Sequence, residues 1–453
     1  MGVGLRRPMA LWVAALALAV AGCGEADRRP SVVVVTLDTT RADALSCLGG
    51  RAGNTPNLDA LAAGSALFTR AYSDSNVTNP SHVSIMSGLR AMDHGVLNQM
   101  TPVPEAVQTL SQAFQREGYA TGGFVSSRHV GRDLGWRGYD ELPQLGNERT
   151  AKETTDLAVR WLAGVGKPFF LWVHYWEPHM LYEPPADLAA RYYPGDRTAG
   201  TGPLLSTLPF FRLVPRDGVI AWLGDARDPA WAPAMYAAEV HHTDAEVGRL
   251  LAAVAAKAGD RTAIVVTADH GESLGEHDIY YAHTGLYDPQ LHVPLIVHWP
   301  GAPAVRSDAL VSALDIAPTI TELTGVSLAT GALPGVSLAP TVRGGSDPKL
   351  AAPRVLIHQN AHNLAVAVRD GGWKLVWPMG SDHPLLSGKP ELFDLAADPG
   401  ETRNLAAAEP ARVEALRAHL ERWIAKGPIA RENVPHLDAE AVDRLRALGY
   451  LQD

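Results

Sequence analysis

Cysteine is nearly absent: the 453 residues hold two, Cys23 and Cys47. A disulfide framework is therefore excluded, and Cys47 reads as a small buried residue rather than a reactive one. A basic excess is missing too. Thirty-nine Lys and Arg stand against 49 Asp and Glu, leaving a net charge of -10. A nucleic-acid surface needs the opposite sign to displace counterions, so nucleic acid is not an expected partner. A small anionic ligand stays open, because a local metal overrules global charge. The apolar run Met9–Ala21 is too short to span a bilayer comfortably. What is present is ordinary for a globular chain: 46% hydrophobic and 19% charged residues exclude wholesale disorder, and the length allows two or three domains.

Residues 1–22 read as a signal peptide, with Arg6 and Arg7 ahead of the apolar run. Val20-Ala21-Gly22-Cys23 resembles a bacterial lipobox, which implies cleavage before Cys23, a lipid on that cysteine, and a polar tether over 23–30. The expected location is exported, on the periplasmic or cell-envelope face. Membrane contact is expected only through that lipid.

Ser31–Leu37 reads SVVVVTL, a β-branched run that predicts a buried parallel strand. Thr55-Pro56 opens a helix with Leu58, Leu61 and Ala62 on one face and Gly64 at its end. Thr109 and Gln112 form a capping-box pattern ahead of Ala113 and Phe114, and Gly118 closes that helix. Strands are expected over 119–125, 169–174, 263–267 and 294–298. A helix is expected to start at Thr243, boxed by Glu246, with Val247, Leu250, Leu251 and Val254 inward. This alternation predicts an α/β fold around a mostly parallel sheet. Tyr182–Pro233 is Pro-rich and irregular, and reads as an insertion over the site or a long surface excursion. The catalytic part is taken as 31–344. Short strand-like pieces then precede a helix marked by Val413, Leu416, Leu420 and Trp423, which predicts a smaller α+β subdomain over 345–453.

Asp38 stands at one strand end and Asp269-His270 at another. Ligands of open α/β sheets gather at the carboxyl ends of strands, so these residues form a candidate divalent-metal site. Asp38 alone would read equally as a turn aspartate. Thr78 precedes Pro80, which suits a first helical turn, and Gly88 suits its end. A helix there aims its free N–H groups and positive end towards Thr78, a cradle for a tetrahedral anion; a plain cap is the alternative.

The motifs LDTTRAD, TPNLDALAAG, VTNPSHVSIMSGL, FFLWVHYWEPH, TADHGESLGEH, LYDPQLHVPLIVHWPG and ELFDLAADPGETRNL occur in this order. Together they resemble the sulfatase family of the alkaline phosphatase superfamily. The resemblance implies an alkaline-phosphatase-like three-layer fold and a C-terminal subdomain with a short antiparallel sheet. It also implies Asp38, Thr78, Asp269 and His270 as metal ligands, Thr78 as nucleophile, and His82, His179 and His283 around the substrate's anionic group. His283 falls where many sulfatases place a substrate-binding lysine.

The chain departs from the family at the nucleophile, where Thr78-Asn79-Pro80-Ser81-His82 replaces Cys or Ser, any residue, Pro, any residue, Arg. Oxidising threonine yields a ketone, not the formylglycine aldehyde. The second aspartate of the usual pair is Thr39. These changes point to direct threonine attack on a sulfate or phosphate ester. His270 adds a nitrogen donor, which favours zinc or manganese over calcium or magnesium. Candidates for a second metal are His174, Glu177, His241, His242 and His358; Glu272, Glu276 and His277 are expected to orient ligands. The substrate is expected to be a small anionic ester, or a glycan or lipid. Two readings compete: a phosphodiesterase or phospho-headgroup transferase of envelope lipid or glycan, and a non-catalytic lipid-tethered binding protein.

Overall fold

The computed structural model describes residue 1 and residues 29–425, except 147, 167, 215, 330, 361–364 and 380–387. The signal segment, Cys23 and most of the tether lie outside the described residues. Ser31–Leu37 forms β1, buried at every position. The rest of the central sheet is β2 (Ala66–Tyr72), β3 (Ala120–Val125), β4 (Phe169–Tyr175), β5 (Thr262–Ala268), β8 (His292–His298) and β9 (Val305–Ser312). A small hairpin pairs β6 (Ser273–Leu274) with β7 (Tyr280–Ala282). The order across the large sheet is β3-β4-β1-β5-β8-β2-β9. β3, β4, β1 and β5 run parallel, β8 runs against both its neighbours, and β9 is parallel to β2.

Helices 110–116 and 151–164 pack on β3, helix 231–258 on β5, and helix 56–63 on β8. A parallel strand enclosed in this way needs no polar alternation, and the four valines of β1 are all fully buried. Each contributes about 1.5 kcal/mol or more by leaving water. β2 and β9 carry no such signal in the sequence. β2 has half-buried Thr69 and Arg70 in its middle and a register shift between Phe68 and Ala71, while the first five of the eight residues of β9 are at least partly exposed.

The C-terminal part is an antiparallel sheet of β10 (Val355–Gln359), β11 (Ala365–Asp370), β12 (Trp373–Pro378) and β13 (Glu391–Asp394). Helix Pro410–Ile424 lays Val413, Leu416, Leu420 and Trp423 on it. Buried Lys374 joins the two parts, contacting Asp288 at 2.8 Å and Glu401.

Two local expectations are corrected. The helix marked at Thr243 runs from Trp231 to Ala258, so Thr243 and Glu246 sit in mid-helix and cap nothing. Thr243 donates to the Glu177 carbonyl and Glu246 accepts from Arg249. Apolar burial along the first half of that helix outweighs the local cap signal. The segment 182–233 is not irregular either: it holds helices 186–192, 209–213 and 217–223 and its own apolar cluster.

The long helix also buries Glu239. One of its oxygens accepts from the Glu183 N–H at 2.7 Å and the other has no partner. Burial, and then the Glu177 charge, push its pKa from 4.5 up to about 8. Between these values the unfolded chain is ionised while the folded one stays protonated. Stability therefore falls as pH rises through the window, by up to about 1.4 kcal/mol per pH unit. Denaturant unfolding across that range is expected to show the slope, and Glu239→Gln is expected to flatten it. An unchanged slope in the variant would assign it to other groups.

Candidate active site

Leu37 lies opposite Ala268 in the parallel ladder of β1 and β5. Asp38 and Asp269, the next residue on each strand, therefore leave the sheet side by side. Ligand atoms of Asp38, Asp269 and His270 lie within 4.8 Å of one another, all buried. Oδ1 of Asp269 accepts from the N–H groups of His270 at 2.8 Å and Thr39 at 3.2 Å. Thr39 stands at φ 47°, a left-handed conformation that costs a threonine about 1 kcal/mol or more.

His270 donates from Nδ1 to the Gly271 carbonyl at 3.0 Å, which leaves the Nε2 lone pair facing the carboxylates. Position 271 must be glycine, since a Cβ there would stand 2.1 Å from the Pro289 carbonyl oxygen. Burial holds the imidazole neutral, with its pKa down at about 4.

Both oxygens of Asp38, and Oδ2 of Asp269, are buried without hydrogen-bond partners. Burial pushes Asp269 up to about 6, and burial plus the Asp269 and Glu272 charges hold Asp38 well above the carboxylate range. Two adjacent carboxylates in this state cost several kcal/mol unless a cation joins them. Two carboxylates and a neutral imidazole suit a divalent ion, and no other such cluster exists among the described residues.

Thr78 is brought in from the end of β2. The side chains of Ser73 and Ser81 both donate to the Asp269 carbonyl, Ser81 at 2.7 Å. Helix Thr78–Ser87 is buried along its whole length and ends at Gly88, φ 72°. Thr78 is its first residue rather than the one before it. Its Oγ1 lies 3.3 Å from His270 Nε2. It also accepts from Gln99 Nε2 at 3.0 Å. The amide of Gln99 can point only one way, because its oxygen takes the Asn79 N–H at 2.9 Å. Gln99 was invisible to sequence reasoning: it is a single glutamine in a loop, remote from every motif.

His82 was expected to face the substrate, but both its nitrogens are engaged. Nδ1 donates to the Thr78 carbonyl at 2.8 Å, and Nε2 takes the Thr36 hydroxyl at 2.9 Å. It braces the nucleophile's helix turn. His174 is close by, with Nε2 3.5 Å from Asp38 Oδ2. His179 and His283 donate from Nδ1 to the Met180 and Asn76 carbonyls, both at 2.7 Å. Their ring centroids are 5.9 Å apart, and His283 is 4.3 Å from His270.

The remaining candidates disperse. Glu177 accepts from Ala151 N–H, His241 lies in the long helix against the Asn54 carbonyl, and His358 binds the Ser73 carbonyl. His242 stands apart as well, His174 adjoins the cluster only through Asp38, and no second group of three or more possible ligands is assembled among the described residues. Glu272 takes the Tyr182 hydroxyl at 2.6 Å and lies near enough to raise Asp38. Glu276 pairs with Arg41 at 2.6 Å and His277 stacks on Tyr287, so neither orients a ligand. A cleft of about 800 Å³ between the two parts, lined by Arg41, Arg70, Asp288 and Arg369, includes none of the clustered residues.

The fold and this strand-end cluster define an α/β protein of alkaline-phosphatase-like architecture with a candidate metal site at its strand ends. The family profile described as Sulfatase matches residues 30–326, and one described as N-sulphoglucosamine sulphohydrolase, C-terminal, matches 275–426. The chain belongs to the sulfatase family and is a hydrolase of that family. A Delta 4,5-hexuronate-2-O-sulfatase of Bacteroides thetaiotaomicron is 26% identical over 432 residues, covering 86% of this chain and 88% of that protein. A putative sulfatase structure from the same organism superposes with TM-score 0.72 at 22% identity, covering 91% and 96%. A phosphonate monoester hydrolase of Agrobacterium radiobacter gives TM-score 0.69 at 22% identity, covering 89% and 100%.

Proposed function

We propose that the chain cleaves sulfate or phosphate esters of small anionic or glycan substrates by direct attack of Thr78, without formylglycine, at a centre for one divalent cation. The observation that carries this reading is the setting of Thr78 Oγ1, held between Gln99 Nε2 and the Nε2 of His270, whose cluster includes three carboxylate oxygens without hydrogen-bond partners. Asp38, Asp269, His270 and Thr78 would hold the cation, zinc or manganese in preference to calcium or magnesium, and it would supply Lewis acidity towards the hydroxyl and the ester oxygens.

The chain's own groups do the positioning. Gln99 donates to Thr78 Oγ1 and so favours negative charge on that oxygen. His82 holds the Thr78 carbonyl, fixing the first helical turn. His179 and His283 are locked at Nδ1, and the His283 ring lies 4.3 Å from that of His270. Thr78 Oγ1 gives up its proton to water and bonds to sulfur or phosphorus as the bond to the alcohol oxygen breaks; that oxygen takes a proton and leaves as the alcohol, and water then cleaves the Thr78 O–S or O–P bond, releasing sulfate or phosphate and restoring the hydroxyl. The similarity to a hexuronate sulfatase supports a charged sugar as the organic part. The Arg6-Arg7 run and Val20-Ala21-Gly22-Cys23 support export with a lipid on Cys23.

The test is a parallel assay of an aryl sulfate, a phosphate monoester and a phosphate diester on metal-loaded protein. Turnover of at least one is expected, and none with any metal would sink the reading. Gln99→Leu is expected to lower kcat by about 10²-fold with little change in KM, as for loss of one oxyanion donor. A kcat equal to that of the parent would leave Gln99 with a packing role only.

A further inference from the structure

The cleft of about 800 Å³ between the two parts has one side from β2 and the start of β8, and the other from the β11–β12 turn and the loop after β13. Asp38, Thr78, Asp269 and His270 do not line it. Gly271, next in the chain to His270, forms the wall between the two places. A Cβ there would stand 2.1 Å from the Pro289 carbonyl oxygen and 3.1 Å from Arg41 Cγ, and Pro289 and Arg41 both line the cleft. The cleft is therefore a compartment separate from the metal cluster.

Its arginines are paired with one exception. Arg41 gives Nε and Nη2 to Asp43, each at 2.8 Å, and Nη1 to Glu276 at 2.6 Å. Arg369 pairs with Asp288, and its guanidinium sits 3.9 Å over the Tyr72 ring, on which His292 stacks at 4.9 Å. Arg70 is the exception. It is half-buried beside the Tyr72 hydroxyl and forms no ion pair among the described residues. Asp43 and Glu276 are 59% and 38% exposed, so their carboxylates keep lone pairs free for hydroxyl groups. The opposite rim carries almost no side chain: Gly371, Gly372, Ala396 and Gly400 let a ring lie close to the backbone.

We infer that this cleft is a second saccharide site, which takes an anionic sugar with its carboxylate on Arg70 and its hydroxyls on Asp43 and Glu276. A free inorganic anion would leave most of the volume unfilled, since a cleft of this size suits an organic ligand. A neutral sugar would cover the Arg70 guanidinium without supplying a counter-charge, which costs desolvation with no return. A uronate answers both: one carboxylate for the planar fork of Arg70, and several hydroxyls for the acidic side.

The experiment is calorimetric titration of chelated, metal-free protein with glucuronate, glucose and sodium sulfate. Without its cation the ester centre presents unpartnered carboxylates and repels anions, so binding reports on the cleft. Glucuronate is expected to bind saturably, about tenfold or more tightly than glucose or sulfate, the yield of one charge-assisted contact. Arg70→Gln is expected to remove the preference over glucose, and Arg70→Lys to keep part of it. Ala396→Trp changes an exposed residue on the opposite rim, fills the cleft and is expected to abolish binding. No saturable binding of glucuronate, sulfate bound as tightly as glucuronate, or undiminished binding in either Arg70→Gln or Ala396→Trp overturns the inference. None of these titrations involves turnover, so they report on the cleft even where Thr78→Ala stays active and the nucleophile assignment fails.

Discussion

Thr78→Ala is expected to lower kcat by about 10⁴-fold or more on whichever ester the protein cleaves, the scale of losing a covalent nucleophile. The hydroxyl lies 3.3 Å from His270 Nε2, at the edge of the carboxylate cluster. Its oxygen is aligned by three independent restraints: the first turn of a buried helix, the Gln99 amide, and the His82 bond to its own carbonyl. The fold should survive, because the change leaves only a methyl-sized gap and one amide donor without its acceptor, together about 1–3 kcal/mol. Thr78→Ser keeps the hydroxyl and is expected to retain turnover. Mass spectrometry of acid-quenched parent enzyme should find the sulfuryl or phosphoryl group on the peptide bearing Thr78. Retained turnover in the alanine variant, with a clean melting transition, would refute the assignment.

Removing the cation is expected to abolish turnover and to destabilise the fold together. The folded chain brings two buried carboxylates next to each other with three oxygens unpartnered, whereas the unfolded chain keeps them apart in water. Binding to the native state alone adds about 4 kcal/mol when free metal exceeds Kd a thousandfold. Chelation should therefore lower Tm by several degrees, and zinc or manganese should restore Tm and activity. Recovery with calcium alone would point instead to an oxygen-dominated site in which His270 is not a ligand. Asp38→Asn separates the two effects. Without metal it should raise Tm by relieving the carboxylate pair, while metal no longer stabilises the protein or activates it. A lower Tm for the metal-free variant would mean that Asp38 serves the apo fold by contacts other than these.

The order of motifs along the chain carried the family and the architecture, because β1, β5 and the C-terminal pieces have periodicities dense enough to read locally. Asp38, Asp269 and His270 were legible as strand-end residues for the same reason. His82 was misassigned, since a sequence position cannot tell whether a ring nitrogen is already taken by Thr36. The cap at Thr243 misled because burial of Trp231, Met235 and Tyr236 extends the helix by three turns upstream. Gln99 lies in a segment with no periodic signal, and its relevance comes only from what folds against it.

The amino-acid order by itself determined that a valine-rich strand ends in an aspartate, that a second strand ends in Asp-His-Gly, and that a threonine stands two residues before a helix-opening proline. These are local facts of covalent chemistry and hydrophobic pattern. The tertiary structure alone decided that Leu37 and Ala268 share a register, so that two carboxylates meet, and that an amide twenty-one positions beyond Thr78 reaches its oxygen. Sheet register and loop closure depend on the packing of the whole core. A contact that such packing creates leaves no trace in the residues on either side of it.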